Sequence, residues 1–169
     1  MIVLVVDGYN IIGDWKELKQ LSEHDFEASR TRLIELLADY QAYTGHRVIV
    51  VFDAYSVRGI ERHYTSRQVE IIFTREKETA DDKIEKLVKD LINVKTKVYV
   101  ATSDYAEQWT IFSRGALRKS ARELEIEINA IDRDIKKDMA QQADVKPKAK
   151  IPLSDDVLNL FEKWRRGKK

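Results

Sequence analysis

Three short apolar runs, each ending in a polar tip, constrain the fold of this chain more than any other feature. Residues 2 to 6, IVLVV, residues 47 to 52, RVIVVF, and residues 97 to 101, KVYVA, are rich in β-branched side chains. A continuous apolar run of that length reads as a strand buried on both faces. The tips that follow are Asp7, Asp53 and the triplet Thr102-Ser103-Asp104. Between the first two runs the periodicity predicts a helix over 26 to 43, with Leu33, Leu36, Leu37 and Tyr40 on one face and Gly45 as its stop. Between the second and third lie a hairpin in IERHYTSRQVEIIF and a helix opening at Thr79. Strands alternating with helices predict an α/β fold with a parallel sheet covered on both faces.

After Asp104 the pattern is helical to residue 142, with breaks expected at Gly115 and Asn129. A polar linker, ADVKPKAKIP, leads to a last helix over 154 to 165 whose apolar side is Val157, Leu158, Leu160, Phe161 and Trp164. The expected organisation is one domain over 1 to 142, followed by a basic linker and helix over 143 to 169. No internal repeat is present.

Composition narrows the chemistry. The chain has 169 residues, 43% hydrophobic and 35% charged, which suits one soluble globular domain with a real core. It has no cysteine and three scattered histidines, so a thiolate zinc site is excluded and any metal must be held mostly by oxygen. The first apolar run lacks a basic lead and a small-residue cleavage site, and it is too short to span a bilayer; the expected location is the cytosol. The net charge of +1 hides an asymmetry, because residues 136 to 169 carry ten Lys or Arg against five Asp or Glu. A basic tail on an acidic body suggests an anionic partner at that end, or a tail that keeps the chain soluble.

The segment KETADDKIEKLV, residues 77 to 88, places Asp81 and Asp82 at a helix start. Carboxylates there are favoured by the helix dipole, and Thr79 with Asp82 three residues on has the spacing of a capping box. A second reading comes from the sheet. Ligands of open α/β sheets bind beyond the carboxyl ends of the strands, where Asp7, Asp53 and Asp104 all fall. A helix returning to that edge adds Asp81 and Asp82. Carboxylates gathered so closely need a counter-charge, and a divalent cation with oxygen ligands supplies it. Mg²⁺ or Mn²⁺ suits such a set, and the chemistry it supports is phosphodiester hydrolysis. Asn10, in DGYN, lies on the turn after Asp7 and either orients the site or simply forms the turn.

VVDGYN at the first strand end, TADDKI at a helix start and ATSD at a later strand end resemble, in this order, the NYN domains, a branch of the PIN-like nucleases, and specifically the YacP-like bacterial group. The resemblance covers residues 1 to about 130. It implies a PIN-like three-layer α/β sandwich with a central, mainly parallel sheet and a C-terminal helical extension. It also implies a metal-dependent endoribonuclease, with Mg²⁺ or Mn²⁺ as cofactor. Carried over by motif, Asp7, Asp81 and Asp104 are the acidic core and metal ligands, Asp82 is a close supporting carboxylate, and Asn10 is the signature asparagine. Asp53 is either a further ligand or a structural cap. Such relatives are associated with messenger RNA cleavage on ribosomes, so the implied partners are RNA and the ribosome, with neither DNA nor membrane expected and the oligomeric state open.

Basic residues flank this acidic centre. Arg58, Arg62 and Arg67 fall in the hairpin region, and Arg114, Arg118, Lys119 and Arg122 in SRGALRKSAREL. Such residues contact phosphates and position a strand without reading its sequence. Tyr9 and Tyr105 flank the expected site and are candidates for stacking on bases. Two other function classes fit parts of the pattern. A non-catalytic RNA- or ribosome-binding module would use the basic residues alone, but pure binding of a polyanion gains nothing from an acidic cluster. A phosphoacceptor switch would use Asp53, but it requires a lysine after a late strand, where ATSD places another acid.

Overall fold

The computed structural model describes residues 1–54, 62–145 and Arg165. Residues 154–164 of the expected last helix, Arg58 and the side chain of Arg62 lie outside the described residues. Contacts divide the chain into Met1–Arg133 and Asp134–Lys169. In the second unit, residues 134–145 and Arg165 are helical.

The elements run β1 (Ile2–Asp7), α1 (Gly8–Asp14), α2 (Lys16–His24), α3 (Phe26–Thr44), β2 (Arg47–Phe52), β3 (Arg62–Ser66), β4 (Val69–Phe73), α4 (Ala80–Leu91), β5 (Lys97–Ala101), α5 (Tyr105–Ser113), β6 (Leu117–Lys119) and α6 (Ala121–Val145). One six-stranded sheet has the order β3-β4-β2-β1-β5-β6, parallel throughout except for the β3/β4 hairpin. The three apolar runs of the sequence are its central strands, β2, β1 and β5. The fold is therefore the expected mixed α/β sandwich built on a mainly parallel sheet.

Side chains alternate between the faces of a strand, and this alternation aims the site. Val3, Val5, Ile49, Val51, Val98 and Val100 share one buried cluster with Ile84 and Val88 of α4 and Ile111 of α5. Continuing the same parity to Asp7, the last residue of β1, and just beyond β2 and β5 gives Asp7, Asp53 and Thr102. The polar tips thus project on the side of the sheet where α4 and α5 lie. β1 pairs with β2 on one side and with β5 on the other. The chain crosses between those two sides after β4, so the carboxyl end of β1 is the point where the strand order reverses.

Local chemistry explains most element ends. Asp25 caps α3 by accepting from the Ala28 N–H at 3.1 Å, and Gly45 ends it in the left-handed region at φ 73°. Arg67 and Gln68 form the two-residue hairpin turn with φ of 50° and 71°, the sign that a type I′ turn requires at both positions. The Trp15 indole N–H donates to the Ala121 carbonyl at 2.8 Å, fastening the start of α6.

Three expectations are corrected. The turn expected to carry Asn10 after Asp7 is helix α1, and α2 follows it. The break expected near Gly115 is a turn at φ 94° that leads into a sixth strand, β6, which adds to the sheet edge. The helix that follows runs through Asn129 without interruption.

Thr79 and Asp82 form a reciprocal capping box. The Asp82 N–H donates to Thr79 Oγ1 at 3.1 Å, and the Thr79 N–H donates to Asp82 Oδ2 at 3.3 Å. Thr79→Ala is expected to cost about 1 kcal/mol, a fall in Tm of roughly 2 to 4 °C for a domain of this size. A calorimetric melt unchanged within a degree or so would show that the cap contributes little.

Candidate metal centre

β1 delivers Asp7 to the sheet edge and α1 begins at the next residue, so the carboxylate emerges at a strand-to-helix turn. Asp7 is only 7% exposed. Burial pushes its pKa up to about 6, against lowering by a hydrogen bond with Glu107 and by the Asn10 backbone, while the charges of Asp81 and Asp104 raise it further. Asp81, from the first turn of α4, is raised chiefly by burial, and the charges of Asp104, Asp82 and Asp53 push the same way.

The third member is Glu107, from the first turn of α5, which is 5% exposed. Its pKa is pushed up to about 10, first by burial and then by the charge of Asp7. One oxygen, Oε2, accepts from the buried Thr102 hydroxyl at 2.9 Å. The other, Oε1, is buried, and no donor among the described residues reaches it. Two carboxyl groups in such contact require either a shared proton or a cation.

Asp7, Asp81 and Glu107 each offer a carboxylate oxygen, and these oxygens lie within 4.8 Å of one another. An all-oxygen donor set, a concentration of negative charge and a buried orphan oxygen together fit a divalent cation. The chain therefore holds a three-carboxylate cluster that can bind a metal ion.

The other candidates are positioned as follows. Asp104 caps α5, its Oδ1 accepting from the N–H groups of Ala106 at 3.0 Å and Glu107 at 3.3 Å, and its charge acts on both Asp7 and Asp81. It thereby sets the start of the helix that carries Glu107. Asp82 does the same for the helix that carries Asp81. Asn10 Oδ1 accepts from the backbone N–H of Ser103 at 2.6 Å and from its hydroxyl at 2.8 Å, tying α1 to the loop after β5. Asn10→Ala is expected to release that loop and so loosen the placement of Asp104 and Glu107, with little change in Tm. Unchanged hydrogen exchange at the Ser103 amide would show that Asn10 does not hold it.

The basic and aromatic candidates separate. Arg67 is exposed in the hairpin turn, and Arg118 and Arg122 are exposed beyond α5. Arg114 is engaged by Glu85 at 2.7 Å. Lys119 is turned inward, 2.8 Å from Glu127 and over the rings of Tyr40 and Tyr99. Tyr9 packs between Phe26 and Phe52, with ring centroids 5.2 and 5.0 Å away, and its hydroxyl accepts from Arg30. Tyr105 is 73% exposed.

Glu107 was not singled out from the sequence. In YAEQWT it looks like an ordinary first-turn acid favoured by the helix dipole. The available signal was its place three residues after the cap Asp104, on the face shared with Gln108 and Ile111, which points back at the sheet.

No helix among the described residues is long and apolar enough to cross a membrane. Residues 4–166 match the YacP-like NYN domain family. The uncharacterized protein YacP of Bacillus subtilis strain 168 is 56% identical over 167 residues, 99% of this chain and 98% of that one. The crystal structure of Rae1 (YacP) from Bacillus subtilis superposes with a TM-score of 0.77 at 56% identity, covering 99% of this chain and 96% of the other. A single-substitution variant of that protein gives the same TM-score at 51% identity. The match along nearly the whole chain, with the acidic cluster at the strand-order reversal of a nuclease-type fold, places this chain in the YacP-like NYN domain family.

Proposed function

We propose that the protein is a divalent-metal-dependent endoribonuclease that hydrolyses phosphodiester bonds of messenger RNA in association with the ribosome. The observation that carries this reading is the three-carboxylate cluster of buried Asp7 and Glu107 with exposed Asp81, whose crowded oxygens favour a cation at the ligand-binding edge of the sheet. Asp7, Asp81 and Glu107 would hold Mg²⁺ or Mn²⁺, with Asp104 adding its charge from the cap of α5. A bound ion of this kind supplies Lewis acidity toward a phosphoryl oxygen and lowers the pKa of water.

The chain's own contribution is placement. Asp82 and Thr79 fix the helix that presents Asp81, Thr102 orients Glu107, and Asn10 locks the loop between them. Arg67, Arg118 and Arg122 offer phosphate contacts without sequence information. The excess of basic residues after position 135 supports a polyanionic partner such as ribosomal RNA. Residues 1 to 142 serve as the nuclease domain in this reading, and 143 to 169 as its basic linker and helix. The family's association with messenger RNA cleavage on ribosomes supports the choice of substrate. These functions place the protein in the cytoplasm.

The test is cleavage of a messenger RNA, free and under active translation, with Mg²⁺ or Mn²⁺ and then with excess chelator. An Asp81→Asn preparation controls for contaminating nuclease. Metal-dependent cuts by the unaltered chain, confined to or enhanced in translated RNA, are expected. Cuts in free RNA alone would remove the ribosome from the proposal, and no cuts in either would leave a binding module.

A further inference from the structure

Helix α5 is amphipathic in the inverted sense. Its inward positions include Glu107 and Gln108, whereas Tyr105, Trp109 and Phe112 point outward, 73%, 67% and 60% exposed. Spacings of four and three residues put these rings on one face. Exposing three aromatic side chains in a row forgoes hydrophobic stabilisation.

The rings line a groove together with Gln108 and Arg118. Gln108 is buried, and its two ends do different work. Its amide donates to the Thr102 carbonyl at 2.7 Å, and its Oε1 accepts from the Arg118 guanidinium at 3.3 Å. The same buried side chain therefore ties the loop of the acidic cluster to the Arg118 cation of the groove. Among the described residues the lining includes no carboxylate.

We infer that the groove along α5, formed by Tyr105, Trp109, Phe112 and Arg118, is a subsite for unpaired nucleobases of the strand being cut. This inference rests on the nuclease reading and narrows its substrate to single-stranded RNA. Three points favour a nucleic acid strand over a protein partner. The groove starts one residue after Asp104, and Gln108 ties its lining to Thr102, the residue that also binds Glu107 of the acidic cluster. Flat apolar faces beside a cation match bases joined by phosphates, since bases stack on aromatic rings and guanidinium planes. The helix rises about 10 Å from Tyr105 to Phe112, enough for about three bases stacked at 3.4 Å. Bases in a duplex have no free faces to offer, so paired RNA is excluded from the groove.

The test measures binding of a single-stranded RNA hexanucleotide, and of the same strand with abasic central positions, to full-length protein carrying Asp81→Asn so that nothing is cut. Trp109→Ala is expected to weaken the intact strand about 5- to 150-fold, the range for losing one base–aromatic stack. It should leave the abasic strand unchanged, and Trp109→Phe should restore binding. Trp109 is exposed, so its removal should not shift Tm. Equal loss on both strands, no loss on either, or no measurable binding of the intact strand before substitution would overturn the proposal. A change of oligomeric state in Trp109→Ala would also overturn it, assigning the face to a second copy of the chain. The nuclease reading fails separately: if the unaltered chain cuts no RNA while the Trp109 pattern holds, the subsite stands and cleavage falls.

Discussion

Exchanging Glu107 for glutamine is expected to move activity and stability in opposite directions. The exchange keeps the shape of the side chain and the acceptor for the Thr102 hydroxyl, but it removes the charge that a cation would meet at Oε1. Cleavage should fall by on the order of a hundredfold or more, as when one group that stabilises developing charge is lost, and metal affinity should fall with it. In the metal-free protein the same carboxyl group is a liability, because it must take up a proton to stay buried beside Asp7. Asp7 and Glu107 have folded pKa values raised to about 6 and about 10, above their unfolded values. Their contribution to stability is therefore full below the unfolded values and is lost as pH rises through the folded ones. With one proton more on the folded state, stability falls by roughly 1.4 kcal/mol per pH unit, so about 1 to 3 kcal/mol should disappear between about pH 5 and about pH 7. Glu107→Gln should flatten this slope and melt higher than the unaltered chain at neutral pH without metal. Adding Mg²⁺ or Mn²⁺ should reverse the order, because a cation that binds only the folded state stabilises it by mass action. Thermal melts of both proteins across pH, with and without metal, provide the check. Parallel melting curves that ignore both variables would mean that the three carboxylates do not share a site.

The same cluster explains which parts of the molecule were legible in the sequence. Buried parallel strands need continuous β-branched runs, and IVLVV, RVIVVF and KVYVA had no other plausible use; their order fixed the central sheet. β6 was invisible because Leu117–Lys119 is three residues long with two charges, and its strand character comes from pairing with β5. α1 was hidden by its composition, since GYNIIGD carries turn formers and two glycines, and tertiary packing of Ile11 and Ile12 overrides their weak propensity. The acids at strand ends were readable because topology brings strand ends together. Glu107 was not, because its inward direction depends on where Asp104 starts α5, a matter of a few residues that periodicity does not resolve. The acid pair in TADD turned out to divide its labour: Asp82 closes the capping box and Asp81 faces the cluster. The helix-cap reading of that pair thus falls to Asp82, and the metal reading to Asp81 within the proposed function.

Gly8→Ala is expected to damage the fold and the site together, although it adds a single methyl group. A Cβ at position 8 would lie 2.3 Å from one atom of the Phe52 ring and 2.4 Å from another, well inside any real contact distance. The ring has little freedom to give way, since Phe52 is fully buried and packs against Phe73 at 5.3 Å and Tyr9 at 5.0 Å between centroids. Relief must come from moving the aromatic cluster or the turn itself, an overpacking cost of about 1 to 3 kcal/mol. The turn is where Asp7 leaves β1, so a shift of it displaces a carboxylate whose placement the chemistry needs to within about half an ångström. Gly13, in the same helix, provides the matched control. A Cβ there meets nothing within 4 Å, so Gly13→Ala should stabilise the protein by about 0.5 kcal/mol through helix propensity alone. Opposite shifts in Tm, with cleavage lost only in Gly8→Ala, would show that the residue after Asp7 must lack a side chain because the Phe52 ring fills the space beside it. If both variants melt and cleave alike, the turn can relax around a methyl group, and the position of Asp7 is set by β1 rather than by the packing under it.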